Sequence, residues 1–339
     1  MKVAVVILNW NGRKFLEQFL PQVIAYSHPF AEVIIADNAS TDDSVSFLKS
    51  KFPNIRVIVN EKNGGFSKGY NDALKQIDAQ YYCLLNSDIE VTPNWIQPVI
   101  ELMDSDLDIA VCQPKIRSWH EPEKFEYAGA AGGFIDKYGY PFCRGRMFMD
   151  LEVDNEQYND TCEVFWATGA CMFVRADLYH KYGGLDEDFF AHMEEIDFCW
   201  RIKNSGYKVM YCAQSMVYHI GGGTLPKNSA QKTYLNFRNN ILLLYKNLPH
   251  NRVVPVFIVR FFLDVIAAIR FLFDSGFADA WAVVKAHAHF YRHLKYNLKK
   301  RKKIEHRSVS MILRKNIVVE YYFKKKRLFS DLNLNSFTK

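Results

Sequence analysis

Tyr81-Tyr82-Cys83-Leu84-Leu85-Asn86-Ser87-Asp88-Ile89-Glu90-Val91 is the stretch on which the rest of the chain turns. Tyr82 to Leu85 is an unbroken apolar run of the kind buried strands show, and it stops at a small polar cluster, Asn86-Ser87-Asp88. In an open α/β sheet, ligands gather outside the carboxyl ends of the strands, so a carboxylate placed there faces a cleft. Asp88 is therefore a candidate ligand for a hard divalent cation, which takes one or two protein carboxylates and completes its shell with diphosphate oxygens and water. The same three residue types also suit a plain turn, and that reading stays open here.

Working outward, the same unit recurs. Val3 to Leu8 is a β-branched strand run ending at Asn9-Trp10-Asn11-Gly12, followed by helical spacing of Phe15, Leu16, Phe19, Leu20 and Val23. Val33 to Ala36 reads as a strand, Asp37 to Asp42 as its polar loop, and Ser44 to Phe52 as a helix. Ile55 to Val59 ends at Asn60-Glu61-Lys62-Asn63-Gly64-Gly65-Phe66, and a helix through Asn71 leads to the Tyr81 strand. Strand, loop and helix in alternation imply an α/β fold with parallel strands whose loops collect at one edge. Asp37, at the mouth of the second strand, is placed to accept from a nucleobase or ribose; an Asx-turn is the alternative. Neither G-x-x-x-x-G-K nor G-x-G-x-x-G is present, which argues against an ATPase and a dinucleotide dehydrogenase.

Composition fits a globular enzyme: 339 residues, 49% hydrophobic and 24% charged. Seven scattered cysteines with no C-x-x-C argue for a reducing compartment and against a disulfide framework. The first apolar run is too short for a signal-peptide core, so the expectation is a cytoplasmic protein. Basic residues behind the +6 formal charge crowd the region after Lys285.

The ordered motifs resemble those of family 2 inverting glycosyltransferases with a GT-A fold. They are Val5 to Asn11, Ala36 to Asp42, Asn63 to Phe66 with Gly69-Tyr70-Asn71, Leu84 to Asp88, Trp166 to Ala170, Gly183 to Phe190, Glu194 to Asp197, and Tyr218-His219. The resemblance spans roughly residues 3–245, and its nearest subgroup is the rhamnosyltransferase-like enzymes of bacterial surface polysaccharide synthesis. It implies a nucleotide-binding half (1–111), an acceptor and catalytic half (112–245), and a helical basic extension (246–339). It assigns Leu8, Asn9, Trp10, Asn11, Asp37, Asn38, Asn63, Gly65, Asn71, Asn86 and Ser87 to the nucleotide. Asp88 takes the last acid of the family's D-x-D motif, which implies binding of Mg2+ or Mn2+, and His219 matches a histidine that completes the metal site in some relatives, with a core or surface histidine packing beside Tyr218 as the alternative; the departure is Asn86, where the family often carries an aspartate. Trp166, Thr168, Gly169 and His192 would border the acceptor, with packing in the core as the alternative for Trp166.

Glu194 onward reads as a helix, with Asp197 and Arg201 paired at i, i+4. Acids in a first turn also suit the helix dipole. In family register Glu195 falls on the base that deprotonates the acceptor hydroxyl, where the family usually has Asp, so Glu194 stays as the alternative. The donor implied is a nucleotide-diphospho-sugar and the acceptor a glycan or lipid-linked glycan; a nucleotidyltransferase or a non-catalytic sugar-nucleotide binder are the rival readings. Glycines from Gly129 to Gly145 suggest short strands and turns forming a flap, and Gly221-Gly222-Gly223-Thr224 a loop over the donor. Residues 253–273 are apolar but carry Arg260, Asp264 and Arg270, which suits a helix in a membrane interface or one packed on the catalytic domain. Residues 250–330 are thus a candidate contact with the inner leaflet, or else a solvated basic face. No nucleic-acid recognition motif accompanies the charge.

Overall fold

A strand covered on both faces needs apolar side chains in both directions, and the first strand shows this residue by residue. In the computed structural model, which describes residues 1–221 and 229–339, Val3, Val5 and Ile7 of β1 (Val3–Asn9) enter one core while Ala4 and Val6 enter the other. The repeated unit then runs α1 (Arg13–Ser27), β2 (Ala31–Asp37), α2 (Ser44–Lys51), β3 (Arg56–Val59), α3 (Gly65–Leu74) and β4 (Tyr81–Asn86). β1 pairs parallel with β2 and β4, and β2 with β3, which sets Leu8 beside Asn86 and Asn9 beside Asp37. The polar ends of these strands therefore line one edge.

After the turn at Ser87-Asp88 come β5 (Ile89–Val91), α4 (Gln97–Ser105) and β6 (Ile109–Ser118). Short strands follow, β7 (Gly133–Asp136), β8 (Pro141–Cys143), β9 (Arg146–Met147), β10 (Asp150–Leu151) and β11 (Cys162–Glu163). Next are β12 (Cys171–Arg175), α5 (Ala176–Lys181), α6 (Glu194–Asn204) and β13 (Lys208–His219). The main sheet has the order β11-β13-β6-β12-β4-β1-β2-β3, with β5 added beside β13. β12 lies antiparallel between β4 and β6, and its register puts Cys171 opposite Leu85. That antiparallel strand carries the second half of the chain back to the end of β4.

The C-terminal part is α7 (Ala230–Asn247), α8 (His250–Asp274), α9 (Phe277–Arg292), α10 (Leu294–Arg301) and β14 (Ile312–Leu313). Two expected boundaries need correction. The divide at 111/112 falls inside β6, at the middle of the main sheet, and the divide at 245/246 falls inside α7. Nor is the tail a separate body. β14 completes the second sheet, β10-β9-β8-β7-β14, by pairing parallel with β7, and Phe329 and Phe337 pack against Phe134 and Phe142. The short strands after Gly129 are thus not a free flap. They form a sheet whose edge the C-terminus closes, and pairing leaves fewer open backbone groups at that edge. All seven cysteines are unpaired.

Candidate active site

At the nucleotide edge, loop is tied to loop by short amides. Asn9 Nδ2 donates to Asp37 Oδ1 at 3.0 Å and to Ser40 Oγ at 3.1 Å, and the other Asp37 oxygen accepts from Ser40 N at 2.9 Å. Asn11 Oδ1 accepts from the amides of Thr41 and Asp42, at 2.7 and 3.2 Å, with Asn11 and Ala39 both at positive φ. Asn38 takes Asn60 on its oxygen and gives its amide to Asn63 Oδ1 and Gly65 O. Asp37 and Asn38 are fully enclosed, so as the structure stands they build the rim rather than face a ligand. Trp10, Asn11 and Asn63 are the exposed side chains of that rim, and Leu8 and Ser87 are half-buried beside it. Asn9 Oδ1 is buried with no partner, an acceptor left open at the rim's floor. Asn71 goes elsewhere: its amide holds Leu185 O at 2.8 Å and its oxygen accepts from Leu185 N and Tyr179 Oη, fixing the 183–187 loop.

Two residues past β4, Asp88 meets His219 at the end of β13. His219 Nε2 lies 3.2 Å from Asp88 Oδ1 and 3.4 Å from the Asn86 amide, and its Nδ1 lies 3.4 Å from Glu126 Oε1. Burial works against charge on the imidazole, but Glu126 and Asp88 outweigh it and push its pKa up to about 10. The Asp88 carboxyl, though buried, is held below its ordinary value by that histidine. His219 Nδ1 has no hydrogen-bond partner. Asp88, with the Asn86 amide and His219 Nε2 beside it, is the carboxylate a hard divalent cation would meet; Glu126 lies on the far ring nitrogen, and among the described residues no three His, Cys, Asp or Glu side chains converge on one point. Glu126 belongs to no motif. It reaches the site only because its segment bonds to β6, through Glu126 N to Ile116 O.

Across the end of β4 stands the acid pair. α6 opens at Glu194 directly after left-handed Met193, and Glu194 is buried while Glu195 is half-buried. One carboxylate oxygen of each is buried with no partner. Burial pushes the Glu195 pKa up to about 7; burial together with Glu195 pushes Glu194 well above its ordinary value. Asp197 is different. It is engaged by Arg201 at 2.8 Å, Lys246 at 2.7 Å and Asn247 at 2.8 Å, the expected structural pair with two added partners.

A single backbone step connects the two centres. A Cβ added at Gly169 would lie 3.9 Å from Glu195 Cβ, and the next residue, Ala170, accepts from Asn86 N at 2.9 Å. Glu195 thus stands beside Gly169, and Asp88 follows two residues after the Asn86 that bonds Ala170. Gly169 also lets the Phe66 ring come close, a cradle that a side chain would fill. His192 is neutral, its pKa lowered to about 4 by burial and then by Lys232, and its Nε2 is buried and unpaired. Trp166 is not part of this rim: its indole donates to Phe134 O at 2.9 Å from within the core. Thr168 is held by Gln113. Of the glycine loop expected over the donor, residues 222–224 lie outside the described residues.

The segment leading to the acid pair is strained and clamped. Phe190, His192 and Met193 all have φ between 60° and 73°, a region costly for residues with a Cβ. The amide of Asn239, from α7, donates to the carbonyls of Phe189, Ala191 and His192 at 3.0, 2.8 and 2.7 Å, and Arg238 bonds those of Asp188 and Phe189. Phe190 in turn lies over Gly65 and accepts from Phe66 N. Nothing in a linear reading marked Asn239, whose role appears only when α7 packs on this loop.

Residues 4–183 match the family described as Glycosyl transferase family 2, more than half of the chain. The chain belongs to that family. This glycosyltransferase is 24% identical over 260 residues to the N-acetylglucosaminyl-diphospho-decaprenol L-rhamnosyltransferase of Mycobacterium tuberculosis, covering 71% of this chain and 83% of the relative. It is 22% identical over 246 residues to the low-salt glycan biosynthesis hexosyltransferase Agl10 of Haloferax volcanii, covering 71% and 74%. Among solved structures, S. aureus TarS 1-349 in complex with UDP-GlcNAc superposes with a TM-score of 0.57 at 14% identity, covering 97% of this chain and 93% of that one. GalNAc-T7 with UDP, GalNAc and Mn2+ superposes at 0.58 and 16% identity, covering 74% of this chain and 48% of that one. The fold is GT-A, and the enzyme is a glycosyltransferase of the hexosyl-transferring, nucleotide-sugar-using type.

Proposed function

We propose that this enzyme moves a sugar from a nucleoside-diphosphate sugar to a hydroxyl of a lipid-linked or polysaccharide glycan, in one displacement with inversion at the anomeric carbon. The observation that carries the reading is the Glu194-Glu195 pair, each with a buried carboxylate oxygen that has no partner, standing beside Gly169 while Asp88 and His219 meet just past β4. Single displacement needs a base on the acceptor side and positive charge on the leaving-group side, and these two centres supply the two sides.

Glu195 is the base. With a pKa near 7 it is in part ionised at neutral pH and still basic enough to take a proton from an attacking hydroxyl. Glu194, more deeply buried, is pushed well above its ordinary value by burial and by the neighbouring Glu195. His192 offers a neutral imidazole nitrogen to an acceptor hydroxyl. Asp88 and His219 would hold the divalent cation, with the Asn86 amide and Glu126 beside them; when bound it stabilises the charge growing on the departing diphosphate. Mn2+ in the GalNAc-T7 complex supports this assignment. The Mycobacterium tuberculosis relative, named for a rhamnosyl donor and a decaprenyl-diphosphate-linked acceptor, supports rhamnose or a related sugar and a lipid-linked acceptor. Seven unpaired cysteines support a cytoplasmic site of action.

Transfer tested with a panel of nucleotide sugars, with and without Mn2+, checks the reaction class. The reading expects cation-dependent transfer and a product of inverted configuration by proton NMR. Retention of configuration would refute single displacement.

A further inference from the structure

Helix α8 is built inside out. The residues it buries best are Val256, Arg260 and Asp264, while Val254, Ile258, Phe262, Ile266 and Phe273 point away from the protein. Phe262 and Ile266 are each 62% exposed, and Phe273 is 84% exposed. These outward positions recur at helical spacing along about 30 Å of helix. The charges beneath pair with one another: Arg260 bonds Asp264 at 3.0 Å and donates to Tyr138 O, and His287 of α9 meets the other Asp264 oxygen at 3.0 Å, leaving Arg260 Nε and His287 Nδ1 without partners. Polar groups that fix the helix from below leave its apolar face free for something else.

The neighbouring helix continues that face. Phe277, Trp281, Val284 and Tyr291 of α9 are all exposed at helical spacing, and a groove of about 450 Å3 opens between the two helices, lined by Val254, Ile258, Phe262 and Tyr291 among others. Contiguous exposed apolar surface of this kind marks an interaction site. Among the described residues no helix is long and apolar enough to cross a membrane.

Charge decides what covers it. Exposed cations accompany the apolar face along the chain: Arg252 at the start of α8, Lys285 and Arg292 on α9, and Lys299, Lys302 and Lys303 just beyond. The exposed acid within α8, Asp274, is already paired with Arg270 at 2.7 Å. We infer that the α8–α9 face docks the enzyme on an anionic phospholipid leaflet, apolar side chains entering the interface and the basic rim meeting the headgroups. A second copy docked face to face would bring two such cationic rims together, which like-charge repulsion opposes.

The inference goes beyond the transfer reaction, and vesicle binding is read without donor or acceptor, so the two fail separately. Deleting the tail is not a usable test, because β14 and Phe337 belong to the core. The full chain is instead floated with phosphatidylcholine vesicles, with and without about one-third phosphatidylglycerol, a composition chosen for its surface potential. Strong flotation is expected only with the anionic vesicles, falling at high salt. The exposed double variant Phe262→Asp/Ile266→Asp should bind at least about tenfold more weakly. So should Lys299→Ala/Lys302→Ala/Lys303→Ala, which leaves Lys300 on Asp186 and Asp188. Wild-type melting temperature and circular dichroism confirm that each variant is folded. Equal binding to neutral vesicles, no binding to either, or unchanged binding of the folded variants would overturn the inference. So would a solution dimer that Phe262→Asp/Ile266→Asp dissociates.

Discussion

At the scale of single residues, the site rests on carboxylates with opposite fates. Asp197 and Asp186 are saturated by lysine, arginine and amide donors, and their pKa values are held down once those partners outweigh burial. Glu194 and Glu195 have no such partners, and theirs rise. A raised carboxyl pKa costs stability wherever the group must ionise. Glu195 takes its stability contribution below its ordinary value of 4.5, and loses it as pH rises through about 7. Glu195→Gln removes that cost. Its melting temperature should exceed wild type at about pH 8, and the difference should vanish near pH 4, in scanning calorimetry over that range. A variant less stable at the higher pH would show that the carboxylate is paired in solution.

His219 supplies a second residue-scale expectation. Its raised pKa means that a cation must displace a proton from the imidazole. Mn2+ affinity should therefore climb by up to about tenfold per unit from pH 6 to pH 9, with proton release visible by calorimetry in buffers of different ionisation enthalpy. Affinity flat across that range would exclude His219 as a ligand. The placement of Asp88 just past a strand end and of Glu194-Glu195 at a helix start was legible in the sequence, since strand ends and helix starts are fixed by local pattern. Glu126 was not, because it depends on a pairing between segments that no local pattern records. Asp37 and Asn71 illustrate the reverse: residues of suitable chemistry at the expected places, whose hydrogen bonds are taken by neighbouring loops.

At the scale of elements, the 186–193 loop runs from its contact with Gly65 and Phe66 into α6, and α7 holds it. Asn239 satisfies three carbonyls of a strained turn, so it holds the segment that leads into α6. Asn239→Ala should lower kcat by about tenfold or more, since small displacements of a base are costly, while leaving the donor KM within about threefold. Steady-state kinetics checks this, and an equal loss in both parameters would assign the residue a binding role. The strands β1, β2 and β4 were legible because each carries a continuous apolar run covered on both faces, and β3, the edge strand, was legible from its β-branched run alone. The middle of α7 as a clamp, Arg238 and Asn239, was hidden by its ordinary polar sequence.

For the whole molecule, the basic tail proved to be two things. Its helices α8 and α9 carry the outward apolar face, but its last residues close the second sheet around Phe134. Two-residue strands and scattered aromatics leave no periodic signal, which is why this part was unreadable in sequence. Phe337→Ala should cost about 3–5 kcal/mol in urea unfolding, the range for a buried phenylalanine. A loss under about 1 kcal/mol would mean that the C-terminus is peripheral to the core after all.

The central claim is that Glu195 takes the acceptor proton opposite a cation held at Asp88. The direct test is single-turnover transfer by Glu195→Gln with saturating donor and Mn2+, alongside donor affinity. The account predicts a fall in the transfer rate of about a hundredfold or more with donor affinity unchanged. A rate within about threefold of wild type would contradict it.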